Sequence, residues 1–222
     1  MIGINGLGRI GKLIFRSVFE NNKAVTIKAV NDPMMTNESF RYLLQYDSAH
    51  LRFPFKVEKW EHGVIVNGQK IRLYSETDPS KIPWGEHGVT TVMESTGKFL
   101  TTEGASKHLQ GGAKKVIMSA PPKDDTPLFV FGVNHQEYSK DLNVVSNASC
   151  TTNCLAPIAK VLHDNFVITE GKAFQKMFRF DVDHSCRNCF PGCCRSGRQA
   201  RIQLQRRTSN RNKHRPLLNR SR

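Results

Sequence analysis

The chain has 222 residues, a formal net charge of +14 and 38% hydrophobic residues. That length holds one large domain or two small ones, and the low apolar share leaves part of the chain outside a packed core. No apolar run approaches the ~18 residues that span a membrane, so no membrane helix is expected. The opening "MIGINGLGRIGK" has no basic segment ahead of an apolar run, so no secretory leader is expected either. The expected compartment is the cytoplasm, a reducing place where disulfides are rare.

The charge is unevenly spread. Residues 1–171 carry 19 Lys and Arg against 17 Asp and Glu, a net of +2. Residues 172–222 carry 14 against 2, a net of +12. A basic surface points to nucleic acid or another polyanion, and here that reading belongs to the last 51 residues. The cysteines divide the same way: Cys150 and Cys154 precede the change, and Cys186, Cys189, Cys193 and Cys194 follow it.

In chain order, "MIGIN" reads as a short strand running into "GLGRIG". Gly6, Gly8 and Gly11 form a G-x-G-x-x-G, followed by the helical run "KLIFRSVFENN", with Leu13, Ile14, Ser17 and Val18 expected on one face. "AVTIKAVND" is a second strand that closes on Asp32, 21 residues past Gly11. The dinucleotide fingerprint needs this order. One glycine makes the tight turn, one lets backbone approach the pyrophosphate, and one packs helix on strand. The helix N-terminus receives the phosphates, and an acid ~20 residues on binds the ribose hydroxyls. A carboxylate there favours NAD, because it repels the 2′-phosphate of NADP. A lone glycine turn is the plain alternative, but strand, glycines, helix, strand and acid all fall in sequence.

The α/β pattern continues. "NESFRYLLQYDS" reads as a helix capped at Asn37. "FKVEKW", "VIVNG" and "KIRLYSE" read as antiparallel strands, with a hairpin at Asn67-Gly68. "TTVMESTG" is a strand, "TTEGASKHLQ" a helix with Glu103 in its first turn, and "KVIMSAP", "LFVFGVN" and "NVVSNAS" are three more strands. The expected fold is a Rossmann-type, doubly wound α/β sheet, mostly parallel, with an antiparallel excursion. Ligands then lie at the strands' carboxyl ends. Asp32, the "STG" of Ser95 to Gly97, Ser119 and Cys150 all fall at such ends.

"NASCTTNC" sets Cys150 at the start of the helical run "TTNCLAPIAKVLHDNF". A helix N-terminus favours a thiolate. Cys154 lies four residues on. A bridge within one helix constrains nothing, and two ligands make a poor zinc site. Cys154 reads as a packing residue. An inert buried thiol at Cys150 fits poorly beside the polar Ser149, Thr151 and Thr152, whose hydroxyls and N–H groups suit a phosphate or an oxyanion.

These segments together, "GINGLGRIG", "NDP", "YDSAH", "DPSKIPWG", "ESTGKF", "HLQGGAKKVIMSAP", "GVNH" and "SNASCTTNCLAPIAKVLHDNF", closely resemble glyceraldehyde-3-phosphate dehydrogenase from Ile2 to about Gly171. The resemblance implies an NAD-binding domain over residues 1–149 and the start of a catalytic domain over residues 150–171. It implies that Cys150 attacks the aldehyde of glyceraldehyde 3-phosphate and passes through a thioester that inorganic phosphate cleaves to 1,3-bisphosphoglycerate, a glycolytic step. It places Ser149 and Thr151 at the substrate and phosphate site. Arg9 and Ile10 fall at the NAD pyrophosphate, with Gly6, Gly8 and Gly11. Asp32 falls at the adenosine ribose, and Thr96, Gly97 and Ser119 near the nicotinamide ribose. The family assembles as a homotetramer.

After "ITEG" the family context of the catalytic histidine gives way to "KAFQKMFRFDVDHSCRNCFPGCC". His184 stands in that region without the family's surroundings. Loss of a general base costs ~10²–10⁴ in rate, so NAD binding with little turnover is expected of this chain. Val167 stands where the family has glycine, which strains the turn if its φ is positive. Residues 172–222 have three readings. The first is a disordered tail of foreign composition, as from a shifted reading frame. The second is a basic arm that binds nucleic acid non-specifically, with strong salt dependence. The third is a zinc site from His184, Cys186, Cys189 and the Cys193-Cys194 pair, for which the spacing is weak.

Overall fold

The computed structural model describes residues 1–21 and 24–168. The chain divides into two compact units, Met1–Val161 and Leu162–Arg222. The tail residues named above, His184 and the four cysteines after it, lie outside the described residues. No helix among the described residues is long and apolar enough to cross a membrane.

The first unit is built on one eight-stranded sheet. Its parallel part holds β1 (Ile2–Asn5), β2 (Ile27–Asn31), β7 (Gln69–Tyr74), β8 (Thr91–Glu94), β9 (Lys115–Met118) and β10 (Val144–Ser146). The antiparallel excursion is β5 (Val57–Trp60) and β6 (Gly63–Val66), which pairs with β7. The sheet order is β10-β9-β8-β1-β2-β7-β6-β5. The chain builds outward from β1 through β2, then returns to set β8 on the other side of β1. That reversal is the switch point at which doubly wound sheets hold their ligands. A separate two-stranded ribbon joins β3 (Tyr46–Asp47) to β4 (Leu51–Arg52).

The helices α1 (Arg9–Asn21), α2 (Asn37–Gln45), α3 (Thr102–Gln110) and α4 (Cys150–Phe166) complete the elements. The buried face of α1 is aromatic. Phe15 is fully buried and Ile14, Val18 and Phe19 pack with it, while Ser17 is exposed. Phe15 stacks on Phe19 at 5.2 Å and meets Phe40 of α2 edge-on at 5.6 Å. The two aromatic rings bring more apolar area than Leu13 and so set the helix's rotation.

The α2 cap is one residue earlier than expected. Thr36 Oγ1 accepts the Ser39 N–H at 3.2 Å, and Ser39 Oγ accepts the Thr36 N–H at 2.9 Å. Asn37 instead donates its side-chain amide to Glu61 O. "LFVFGVN" is not a strand. Leu128 makes a single bridge to Ser146, after which Asn134 folds the chain back by accepting the Val130 N–H and donating to Leu128 O. That local side-chain bonding displaces a ladder. The hairpin at Asn67-Gly68 is present, with φ of 49° and 77°, as a tight primed turn requires.

Of the second unit, the described part is the end of α4 and the two residues after it. Val167 has φ 58° and donates its N–H to His163 O. A β-branched residue in that region is strained by about 1–3 kcal/mol.

Candidate dinucleotide and thiol site

The three glycines have three different surroundings. Gly6 has φ +89°, and a Cβ there would lie 2.8 Å from Thr96 N, so the loop after β1 passes against the end of β8. A Cβ on Gly11 would lie 1.9 Å from Gly6 O, so α1 packs onto the loop it follows. A Cβ on Gly8 would meet nothing within 4 Å. The middle glycine therefore fronts open space at the N-terminus of a 13-residue helix, the arrangement that admits a pyrophosphate.

Asp32 is tied into this loop. Its Oδ2 accepts the Leu7 N–H at 2.8 Å and its Oδ1 accepts the Met34 N–H at 2.9 Å. Each oxygen keeps a further lone pair. Asp32, Gly6, Gly8 and Thr96 line one cleft of about 230 Å³, with Asn5, Asn31, Pro33, Met34 and Glu76 beside them. Ser95 and Phe99 also line it. Two buried polar atoms, Ser95 Oγ and Arg9 Nη1, have no partner among the described residues. An open glycine at a helix N-terminus, an acid held at the end of β2 and the orphaned Ser95 hydroxyl in the cleft wall fit a dinucleotide.

Other predicted positions lie outside that cleft. Arg9, Ile10 and Gly11 start α1 but do not line it. Gly97 follows the wall in a left-handed turn with φ 71°. Ser119 follows β9 and donates its N–H to Glu94 O at 2.9 Å. Arg9 instead acts on the ribbon loop. Burial opposes the charge on Asp47, yet N–H bonds from His50 and Ala49, the His50 ring and the Arg9 charge carry its pKa down to about 2. Lys12 is moved down by burial, with Arg9 adding to the effect and Asp47 opposing it.

Cys150 is the first residue of α4 and is exposed, as is Cys154. The turn before it is tightly made. Ala148 is buried with φ 61°, a conformation that an L-residue adopts only when its surroundings enforce it. Its N–H is held by Ser146 Oγ at 3.0 Å. Asn153 reaches back from α4 to Asn147 O and Ser149 O. Ser149 Oγ accepts the Thr152 N–H at 3.0 Å and lies 2.9 Å from Thr151 Oγ1. Ser149 thus caps the helix and shares its hydroxyl with Thr151. Gly6, Asp32, Thr96, Ser119 and Cys150 follow β1, β2, β8, β9 and β10, five neighbouring strands. Four inter-strand steps span ~19 Å, the reach of an extended dinucleotide with a reacting group at its end.

Sequence reading did not single out Asn5, Asn31, Glu76 or Phe99. The signal for Asn5 and Asn31 was present, since both are polar residues that end apolar runs.

Comparison with known proteins agrees with this geometry. Residues 1–102 match the family described as glyceraldehyde 3-phosphate dehydrogenase, NAD binding domain. Residues 149–189 match its C-terminal domain, so that match runs past Gly171 onto residues outside those described. Over 170 residues the chain is 56% identical to a glyceraldehyde-3-phosphate dehydrogenase of Aspergillus oryzae, covering 77% of this chain and 50% of that protein. The same coverage gives 55% identity to the enzyme of Emericella nidulans and 53% to that of Debaryomyces hansenii. The fold and the cleft define the class, α/β proteins with a dinucleotide-binding Rossmann sheet. Within that class the chain belongs to the glyceraldehyde-3-phosphate dehydrogenase family. It spans about half the length of the curated relatives it matches.

Proposed function

We propose that residues 1–149 are the NAD-binding domain of a phosphorylating glyceraldehyde-3-phosphate dehydrogenase and that residues 150–171 begin its catalytic domain. The observation that carries this is the glycine cradle locked to Asp32 through the Leu7 N–H. Asp32 would take the adenosine ribose hydroxyls. Gly6 and Gly8 would receive the pyrophosphate, with Arg9, Ile10 and Gly11 forming the start of α1 behind them. Thr96, Gly97 and Ser119 would border the nicotinamide ribose. When bound, NAD supplies the hydride acceptor.

The chain's own chemistry centres on Cys150. Its sulfur attacks the aldehyde carbon of glyceraldehyde 3-phosphate to give a hemithioacetal, and that carbon gives up hydride while its hydroxyl proton passes to solvent, leaving a thioester. Inorganic phosphate then displaces the sulfur. The hydroxyls of Ser149 and Thr151 hold the phosphate or substrate oxygens beside the helix N-terminus. The exposed start of α4 supports this, since substrate must reach the sulfur.

Residues 172–222 lack the sequence context in which the family carries its catalytic histidine. On this reading the chain binds NAD but turns over ~10²–10⁴-fold below a complete enzyme, and family tetramer assembly is impaired. The net charge of +12 in those residues favours a second activity, salt-sensitive and non-specific nucleic-acid binding.

Calorimetric titration of the full chain with NAD and NADP, paired with a steady-state assay, tests the reading. One NAD site, weaker NADP binding and little turnover are expected, and Asp32→Asn should narrow the gap between the two cofactors. Absence of NAD binding would overturn it, and so would turnover equal to that of a full-length relative.

A further inference from the structure

Beneath the cleft runs a chain of buried polar side chains that the chemistry above does not use. Trp84, before the 3-10 turn Gly85–His87, donates its indole N–H to His108 Nδ1 on α3 at 3.1 Å. Indole is a donor only, so Nδ1 is the acceptor and the ring proton sits on Nε2. Nε2 donates to Glu94 Oε2 at 2.9 Å, and Asn5 Nδ2 donates to the same oxygen at 2.6 Å. The other oxygen, Oε1, accepts the Thr96 N–H at 2.8 Å and the Thr96 hydroxyl. Asn31 Nδ2 donates to Asn5 Oδ1 at 2.7 Å, and the same amide clasps the backbone of Glu76 in both directions.

Trp84 and His108 are fully buried, and Glu94, Asn5 and Asn31 are 1–2% exposed. Apolar residues of the same volume would fill such a space at no loss of stability. What polar residues add is fixed geometry, because each buried donor and acceptor must meet its partner or be left costly and unmade. The elements joined here are the ends of β1, β2 and β8 and the segment after β7, which are the walls of the cleft. The anchor, formed by His108 and Trp84, is outside it.

We propose that His108 is a positioning residue for the dinucleotide, acting through Glu94 to hold Thr96 and Asn5 in the cleft wall. Gly6 passes so close to Thr96 N that its missing Cβ would lie 2.8 Å away. A small rotation of Thr96 therefore changes the gap through which the phosphates and ribose enter. Without the Nε2–H donor, Glu94 keeps three donors and loses the one that fixes it from behind. The inference rests on the dinucleotide reading of the cleft, but it makes a prediction for the unliganded chain as well.

The test uses the full chain with His108→Leu and His108→Gln. Leucine removes both bonds. Glutamine can restore both, donating from its amide nitrogen to Glu94 and accepting from Trp84 with its oxygen. His108→Leu should weaken NAD binding about tenfold, the scale of a lost hydrogen bond to a charged group, and His108→Gln should recover most of that loss. The Thr96 amide should exchange faster in unliganded His108→Leu than in a control core lesion, Val116→Ala, matched for loss of thermal stability. Labelled-histidine spectra of the parent should show Nδ1 bare and Nε2 protonated.

Unchanged NAD affinity in His108→Leu, or equal weakening by glutamine and leucine, would overturn the proposal. Should His108→Leu fail to fold, Trp84→Phe decides the matter, since losing the anchor must still speed Thr96 exchange, and unchanged exchange would refute it. If the parent itself binds no NAD, the cofactor reading fails. The amide exchange of Thr96 then judges the positioning role alone.

Discussion

Two glycines three residues apart should respond to the same substitution in opposite ways. In a helix, Gly→Ala ordinarily stabilises by about 0.5–1 kcal/mol. At Gly11 the new Cβ would stand 1.9 Å from Gly6 O, 3.0 Å from Gly6 C and 3.3 Å from Ile4 Cγ2. Ordinary contact begins near 3.4 Å, so α1 and the loop must part by ~1.5 Å, and overpacking a tight site costs about 1–3 kcal/mol or more. Gly11→Ala should therefore destabilise the chain by about 1–2 kcal/mol after the helical gain is set against it. At Gly8 nothing lies within 4 Å and φ is not positive, so Gly8→Ala should leave stability unchanged or raised by up to about 1 kcal/mol. Its Cβ would instead stand where the pyrophosphate approaches, and NAD affinity should fall at least tenfold. Urea denaturation with and without NAD reads both effects in one experiment. The reasoning fails if Gly11→Ala is as stable as the parent, or if Gly8→Ala binds NAD equally well.

Three further outcomes follow from the site and its surroundings. Asp47 titrates at about 2 rather than 3.8, so its contribution to stability is complete above pH ~4 and drains away as the pH falls toward 2. Asp47→Asn should lower the urea midpoint at pH 7 and flatten its fall between pH 4 and 2, and parallel acid curves for the two proteins would refute this. Cys150 should be the thiol alkylated fastest by iodoacetamide, as mapped by peptide mass, with NAD changing its rate and not that of Cys154; equal rates would count against the nucleophile assignment. Val167→Gly should raise stability by about 1 kcal/mol by relieving the left-handed valine, and a lower thermal midpoint would contradict that strain.

Much of the fold could be read from the chain because its local signals and its global pattern agree. The strand, glycines, helix, strand and acid from Ile2 to Asp32 each carry a spacing that only one arrangement satisfies, and Asn67-Gly68 names its own turn. The misreadings were local competitions. Thr36 and Asn37 are both good caps, and the choice went to the one whose partner, Ser39, could bond back. The apolar run from Leu128 looked like a strand, but Asn134 closed it with its amide. The tie beneath the cleft was illegible for a different reason. Asn5, Asn31, Trp84, Glu94 and His108 are scattered over more than a hundred positions, and each alone reads as an ordinary strand end or helix residue. Only the sheet order, which sets β8 beside β1, makes them neighbours.

The account stands or falls on whether NAD occupies the crevice between the glycine loop and the end of β8. Amide hydrogen exchange of the full chain, with and without NAD, reports this residue by residue. NAD should slow exchange at Leu7, Gly8 and Arg9, at Met34 and at Thr96, and leave the β5–β6 hairpin unchanged. Protection confined to residues 172–222, or none at the glycine loop at saturating NAD, would contradict it.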